Sequence, residues 1–209
     1  AMDLEFLNKQ LNELLEGKEV EVPRFDFKTG NRIFEGNKLR LEDKDILIME
    51  GIHALNPEMT SAVDDSRIFR VYVSALTSLN IDENNNMSTS DNRLLRRMVR
   101  DNRVRGITPE ETIMRWNSVR RGESKNIFPF QENADALFNS ALIFELPMLK
   151  YYAEPLLRRI APNSPAYTEA VRLLKFLDYI VELQPSEIAA IPPTSIMREF
   201  IGGQTLTRD

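Results

Sequence analysis

The 209-residue chain contains no cysteine and only one histidine. Without cysteine it can form no disulfide, no thiolate metal site and no cysteine nucleophile, and a single histidine excludes a histidine-rich metal site. No apolar run approaches the about 18 residues that a membrane-spanning helix needs. We therefore expect a cytoplasmic protein without a membrane partner, built as one large domain or two small ones.

Positive charge is scarce overall but concentrated in one segment. The chain has 27 Lys and Arg against 32 Asp and Glu, a formal net charge of -5. Residues 93–106, RLLRRMVRDNRVRG, hold six arginines and one aspartate, so this segment carries +5 and the rest of the chain carries -10. Nucleic acid is not an expected partner of such an acidic chain, since no aromatic residues for base stacking are interleaved with the arginines.

Residues 93–100 predict a helix with two chemically different faces. At 100° per residue, four arginines fall within an arc of about 100° and four apolar side chains fall opposite them. The arginines are Arg93, Arg96, Arg97 and Arg100, and the apolar residues are Leu94, Leu95, Met98 and Val99. The arginine face contains no Asp or Glu, so we expect no i,i+4 partner to relieve the repulsion. This face should bind an anion or meet acidic side chains from elsewhere in the fold; the alternative is a solvated basic face.

The rest of the chain predicts strands separated by helices, which is typical of an α/β fold with a partly parallel sheet. A first helix is predicted over residues 4–15, a β-hairpin over 19–41 with its turn at 29–31, strands at 46–49, 68–73 and 134–139, and helices at 109–121 and 167–183. Thr108, Pro109 and Glu111 have the pattern of a capped helix start. The polar residues 80–92 predict a mobile loop.

Glu50 is a candidate metal ligand because it follows the short apolar run ILIM and precedes Gly51. Ligands of α/β sheets bind outside the carboxyl ends of strands, and a carboxylate at that place suits Mg²⁺ or its bound water. The alternative is a glutamate that caps the following turn. If the first interpretation is right, Glu50 and Arg97 should face the same cleft.

Arginines and a carboxylate-held metal together are typical of phosphoryl transfer. That chemistry also needs a cradle for the phosphates, and no GxxxxGK[ST] motif occurs in the sequence. The one Gly-Lys pair, Gly17-Lys18, follows the first predicted helix instead of opening one.

Four stretches together carry a resemblance to a known family: VPRFDFKTGNR, ILIMEGIHAL, RLLRRMVRDNRVRG and REFIGG. They resemble the uridine kinase/phosphoribulokinase family of P-loop kinases, in particular its bacterial nucleoside kinases. The resemblance implies an incomplete P-loop kinase fold, with three layers, a mostly parallel sheet, a β-hairpin insertion and a helical C-terminal segment. Residues 1–145 would form the kinase core, and residues 146–209 the helical segment of the same domain. The family's P-loop and general-base Asp lie upstream of the position that matches Asp3, so an N-terminal P-loop segment of the same polypeptide is the implied partner.

The resemblance also implies roles for individual residues. The ATP phosphates would contact Arg100 and Arg105, with Arg93 and Arg96 beside them. Arg97 matches a substrate-contacting arginine, which we expect to be catalytic. Glu50 matches the Mg²⁺-associated carboxylate, and we expect it to be catalytic, like Arg97, as well as a metal ligand. Phe25, with Asp26, matches the hairpin site that packs near the nucleoside.

Three positions depart from the pattern of the related uridine-cytidine kinases. Gly30 stands where they use a His for the base, Ile107 replaces a lid arginine, and Arg115 replaces a base-reading Gln. The resemblance therefore implies an ATP- and Mg²⁺-dependent nucleoside kinase whose substrate is open between uridine, another nucleoside and a phosphorylated sugar. It implies transfer of the ATP γ-phosphate to a nucleoside 5′-hydroxyl, and an inactive isolated chain.

Two further interpretations stay open at this point. One is a regulatory or degenerate kinase that has no P-loop, and the other is a module that binds RNA or another polyanion without catalysis. The sequence also leaves homo-oligomerisation open.

Overall fold

The computed structural model describes residues 3–26, 30–76 and 88–205. The α-helices are α1 (Leu4–Leu15), α2 (Thr89–Arg105), α3 (Pro109–Asn126), α4 (Glu145–Leu157), α5 (Tyr167–Leu177), α6 (Pro185–Ala190) and α7 (Met197–Ile201). The strands are β1 (Val20–Glu21), β2 (Arg24–Asp26), β3 (Asn31–Ile33), β4 (Lys38–Leu39), β5 (Val71–Ser74) and β6 (Ala136–Asn139). The chain divides into a first unit, Ala1–Tyr72 with Glu123–Leu137, and a second unit, Val73–Gly122 with Phe138–Asp209.

In the first unit, α1 forms where the leucine spacing predicted it. The Asp3 side chain accepts a hydrogen bond from the Phe6 N–H and caps the helix, and Gly17, with φ of 76°, follows its end. Asn8, on the buried side of α1, donates to the Glu58 carbonyl at 3.1 Å. Its side-chain oxygen accepts from the Ala62 N–H at 3.0 Å, so this amide ties α1 to the 3₁₀ turn Pro57–Thr60.

The segment predicted as one hairpin forms two short antiparallel pairs, β1 with β4 and β2 with β3. Pro23 separates β1 from β2 because it has no N–H for a ladder. Gly36, with φ of 80°, separates β3 from β4. Asn31 belongs to β3 and not to the turn, and the turn residues 27–29 lie outside the described part. The antiparallel pairing is observed, and its status as an insertion in a kinase core stays a prediction.

The prediction of a buried strand at residues 46–49 is wrong. This run has no strand conformation, and the side chains of Ile46 and Ile48 are each 85% exposed. A strand of continuous apolar residues is buried when other strands and helices cover it. Among the described residues, no backbone hydrogen bond joins this run to a strand.

β5 and β6 form a parallel pair, as the α/β prediction requires. The Ala136 N–H donates to the Arg70 carbonyl at 3.1 Å, and the Ser140 N–H donates to the Ser74 carbonyl at 2.9 Å, so the two strands advance in the same direction. The Asp135 carboxylate accepts from the Arg70 N–H at 2.7 Å at the start of the pair. Both strands begin two to three residues later than the sequence indicated.

The second unit contains a helical core that α2, α4 and α5 build together with α6 and α7. Its fully buried side chains include Met98, Met148, Leu149, Leu173 and Met197. Trp116 of α3 packs in the same core. No helix in the described part of the chain is long and apolar enough to cross a membrane.

Helix boundaries differ from the predicted ones at several places. Ser88 caps α2, so the predicted loop at 80–92 ends by residue 88, and residues 77–87 lie outside the described part. α3 continues through Gly122, which was predicted to stop it. α5 ends at Leu177 instead of residue 183, and α4 extends to Leu157 with Pro155 in its last turn. The predicted cap of α3 is confirmed. The Thr108 N–H and hydroxyl both donate to the Glu111 carboxylate, and the Glu111 N–H donates to the Thr108 hydroxyl oxygen.

Candidate functional site

The two faces predicted for α2 are present. Its apolar residues Leu94, Leu95, Met98 and Val99 are all buried in the core of the second unit. The start of the helix is tied to α5, because Arg172 donates to the Asp91 carboxylate at 2.6 Å and 3.0 Å. Hydrogen bonds to Glu169 and to Asp91 raise the pKa of Arg172. Burial of the apolar face and this ion pair together fix the rotation of α2, and hence the positions of its arginines.

Arg96 is buried and paired inside the protein. It donates through Nε and Nη2 to the two carboxylate oxygens of Glu145, a residue of α4 that is 1% exposed. The Asn92 amide donates to the same carboxylate at 2.8 Å. The Arg96 guanidinium also lies over the Phe200 ring of α7, 5.2 Å from its centroid. Two of its nitrogens are therefore engaged with a buried acid, an arrangement typical of a structural ion pair.

Asp101 gathers three further arginines at the end of α2. The Arg100 Nε and the Arg105 Nη1 each lie 3.0 Å from Asp101 Oδ1. The Arg97 Nε lies 3.3 Å from Oδ2, in ion-pair contact but outside hydrogen-bond geometry. The Asp101 side chain is 1% exposed, whereas the three arginines are only partly buried. We call these four residues the Asp101 cluster.

The backbone after Arg105 is also fixed through Asp101. Gly106 adopts the left-handed conformation with φ of 64°, which favours glycine. The N–H groups of Gly106 and Ile107 both point to the Asp101 carbonyl, the second at 3.2 Å. The Asp101 carbonyl thus accepts hydrogen bonds from the residues that end α2, while its carboxylate contacts the arginines.

The expectation that the arginine face has no i,i+4 acidic partner is wrong. Asp101 is four residues after Arg97 and four before Arg105, and both pairs form. The predicted arginine face covered residues 93–100 only, and Asp101 is the next residue of the chain. The second expectation, acidic side chains from elsewhere in the fold, is met by Glu145 and by Glu199, which lies 3.7 Å from Arg100.

In the first unit, Phe25 lies opposite Arg32 in the β2–β3 pair and is 51% exposed. Arg32 binds the Asp3 carboxylate and lies over the Phe6 ring, 4.6 Å from its centroid. The hydrogen bond from the Phe6 N–H, followed by the one from Arg32, lowers the pKa of Asp3. These contacts hold β3 against the start of α1, so the exposed ring of Phe25 is presented on an anchored pair of strands.

The other candidates of the first unit are Asp26 and Glu50. Asp26, half-buried, is paired with Asn31, and its carbonyl accepts from the Gly30 N–H at 2.9 Å. Glu50 is exposed on irregular chain, not at the end of a strand. No group of three or more acidic or histidine side chains that could hold a metal occurs among the described residues. Mg²⁺ in proteins commonly takes only one or two carboxylates, and a role for Glu50 as one of them stays a prediction.

Comparison with known protein families gives one match that covers more than half of the chain. The model of the phosphoribulokinase/uridine kinase family matches residues 1–143. The chain belongs to this family. The match includes α2 with the Asp101 cluster, and it stops before α4.

Two curated relatives show how far the similarity extends. A uridine kinase of Staphylococcus epidermidis is 32% identical over 138 residues, which cover 66% of this chain and 58% of that protein. A uridine kinase of Halalkalibacterium halodurans is 34% identical over 121 residues, 58% of this chain and 49% of that protein. The chain spans about half the length of the curated relatives that it matches.

The structure thus brings together Arg97, Arg100 and Arg105 from the predicted set. It places Arg96 beside Glu145, and Arg93 half-buried on the same helix. Phe25, Asp26 and Glu50 belong to the first unit and Arg97 to the second. A common cleft for Glu50 and Arg97 stays a prediction.

Proposed function

We propose that this chain is part of an ATP-dependent nucleoside kinase. The observation that carries the proposal is the Asp101 cluster, three arginines collected at one helix end in a chain of the phosphoribulokinase/uridine kinase family. The relatives with uridine kinase names favour a nucleoside as the acceptor. Gly30 and Arg115 occupy positions where related kinases contact the base, so uridine is one of several nucleosides to be tested.

The cluster provides the chemistry that phosphoryl transfer requires of a protein. The nucleoside 5′-hydroxyl oxygen would attack the γ-phosphorus while its proton passes to the general-base Asp of the proposed upstream segment, and the bond to the β–γ bridging oxygen would break to release ADP. Negative charge on the transferring group must be stabilised by fixed donors. Arg100 and Arg105 would contact the ATP phosphates, and Arg97 the substrate and the transferring phosphoryl group. Arg93 would lie beside them, whereas the pairing of Arg96 with Glu145 favours a structural role for Arg96.

Residues of the first unit would bind the nucleoside. The exposed ring of Phe25 offers a flat apolar surface for a base or ribose, with the Asp26 carboxylate next to it in sequence. Glu50 would supply one carboxylate to Mg²⁺, whose chemistry is to neutralise charge on the phosphates.

We also propose that an upstream segment with the P-loop completes the kinase core of residues 1–145, with 146–209 as a helical segment of the same domain. Exposed apolar side chains of the first unit support this proposal: Ile46, Ile48, Phe69, Val71 and Leu137. Exposed apolar surface of this kind marks places where another segment of polypeptide packs. The greater length of the relatives leaves room for such a segment.

The deciding experiment compares the 209-residue chain with a longer protein that carries the upstream segment of its own gene. We expect nucleoside-dependent ATP consumption by the longer protein and none by the 209-residue chain, which has no Walker lysine. In the longer protein, Arg97→Ala should lower kcat about 10²- to 10³-fold, because it removes one donor to the transition-state charge. Arg120→Ala, which removes an exposed arginine of α3, is the matched control and should leave kcat unchanged.

Turnover by the 209-residue chain alone would contradict the need for an upstream segment. An inactive longer protein that still binds polyphosphate would favour the regulatory or degenerate alternative. Tight RNA binding would favour the polyanion-binding module, which the internal acidic partners of Arg96, Arg97 and Arg105 make less attractive.

A further inference from the structure

Asp101 contacts the arginines in a way that leaves much of each guanidinium outside the pair. Arg97 and Arg100 meet the carboxylate through Nε, and Arg105 meets it through Nη1. An arginine has five N–H donors in a planar fork, and its two terminal nitrogens suit bidentate contact with phosphate oxygens. Contact through Nε holds a guanidinium while both terminal nitrogens stay outside that contact.

Burial separates Asp101 from its partners. The aspartate side chain is 1% exposed, and the arginine side chains are 27% to 53% exposed. An anion from solvent can therefore reach the arginines more readily than the aspartate. A buried carboxylate with an oxygen that lacks a hydrogen bond is costly, and Asp101 Oδ2 is such an atom among the described residues. The Arg97 Nε is 3.3 Å from it and needs only a small shift to complete that bond.

We propose that Asp101 is a positioning residue that holds Arg97, Arg100 and Arg105 in the geometry that receives a polyphosphate, and that it keeps these contacts when the anion binds. This inference rests on the proposed function, which makes a nucleotide polyphosphate the ligand of the cluster. The opposite behaviour is a counter-ion that only competes with the phosphates and must be released before they bind.

The direction in which Asp101→Asn changes the affinity for polyphosphate distinguishes the two behaviours. Asp101→Asn removes a negative charge beside a polyanion site, so Coulomb attraction alone predicts tighter binding. Positioning predicts weaker binding, by about tenfold, because long side chains that are no longer held must be ordered by the ligand. Asp101→Glu keeps the charge but displaces the carboxylate, and positioning predicts a loss of affinity for this variant too.

The measurement is calorimetric titration of the 209-residue chain with inorganic tripolyphosphate at low ionic strength. Asp178→Asn removes the same charge from an exposed residue at the end of α5 and serves as the control for net charge. Weaker binding to both Asp101 variants, with the control unchanged or slightly tighter, supports the proposal. Binding of Asp101→Asn that equals or exceeds the unsubstituted chain overturns it.

Absence of tripolyphosphate binding by the unsubstituted chain also overturns the inference. Kinase activity of the longer protein is scored separately, so an active enzyme with a tighter-binding Asp101→Asn variant would leave the proposed function intact and remove only the positioning role.

A spectroscopic measurement keeps the inference testable if the variants fail to fold. The Nε–H group of Arg100, which donates to Asp101 Oδ1, gives a side-chain NMR signal that exchanges slowly with water while it is bonded to this buried carboxylate. We expect this signal to persist in the unsubstituted chain at saturating tripolyphosphate. Its loss on saturation would show that Arg100 leaves Asp101, which overturns the proposal.

Discussion

Glu145 is the shared acceptor for two buried polar side chains of the second unit. It is 1% exposed, and it accepts from Arg96 and from the Asn92 amide. Replacement of one partner of a buried ion pair leaves the other charge without compensation, which costs about 3–5 kcal/mol. We therefore predict that Glu145→Gln lowers the free energy of unfolding by several kcal/mol, measured by urea titration with the fluorescence of Trp116, a residue of the same core.

Two controls belong to this prediction. Glu169→Gln weakens an exposed ion pair with Arg172 and should cost less than about 1 kcal/mol. Arg96→Met combined with Glu145→Leu removes both charges, and it should recover part of the loss because an apolar pair can replace a buried ion pair. A small effect of Glu145→Gln alone would show that Arg96 finds another acceptor.

At the scale of elements, α7 is attached to α2 by a stripe of arginines at positions i, i+4 and i+7: Arg96, Arg100 and Arg103. Arg103 donates to the carbonyls of Phe200 at 2.9 Å and Glu199 at 2.7 Å, which are orphan acceptors at the end of α7. Gly202 makes this approach feasible, because a Cβ at that position would lie 3.2 Å from Arg103 Nη1. The REFIGG stretch, which the family match does not cover, therefore has a structural explanation in the helix pair α2–α7.

Gly202→Ala should destabilise the second unit for two reasons. Its φ of 93° and ψ of 173° lie in a region that is essentially confined to glycine, with a cost of about 1–3 kcal/mol for other residues. The new methyl group would also lie 3.2 Å from Arg103 Nη1, which requires a shift of a few tenths of an ångström in that side chain. Gly106→Ala is the matched control, since Gly106 has φ of 64° and no atom near the added Cβ. We expect Gly202→Ala to lower the melting temperature more than Gly106→Ala, and an equal or reversed effect would contradict the role of the Arg103 contact.

At the scale of the whole molecule, local sequence patterns predicted those helices, caps and strands that are determined by residues close together in the sequence. The two faces of α2, the Thr108 cap of α3 and the parallel strands were found because helical spacing, capping chemistry and strand alternation are written within a few residues. The wrong prediction for residues 46–49 shows the limit of this reasoning. Its apolar composition is that of a buried strand, but burial depends on neighbouring chain that a short sequence window does not specify.

The candidate site shows the same division. Helical spacing selected four of the arginines, the resemblance added Arg105 and assigned their roles, and the structure then supplied their partners. Asp101 could have been found from its spacing to Arg97 and Arg105, whereas Glu145 is 49 residues from Arg96 and has no local signal. Long-range pairs of this kind depend on how the helices pack, which the periodicity of one helix does not contain.

The two units differ in the size of their cores, and this difference predicts their order of unfolding. In the described part of the first unit, the buried apolar side chains are Leu11, Leu14, Val20 and Met59. In the described part of the second unit, 21 residues are buried in one apolar cluster. Burial of apolar area contributes about 25 cal/mol per Å², so the second unit should retain its structure at urea concentrations that unfold the first. Hydrogen exchange, resolved by residue across a urea series, measures this order of unfolding. We expect the amide protons of α1 to exchange with solvent at a lower free-energy cost than those of α2 and α5. The fluorescence of Trp116, the only tryptophan, should follow the later transition. Leu11→Ala should lower the protection of α1 and leave the Trp116 transition unchanged. A common exchange free energy for α1 and α5, or a shift of the Trp116 transition by Leu11→Ala, would show that the two units unfold as one.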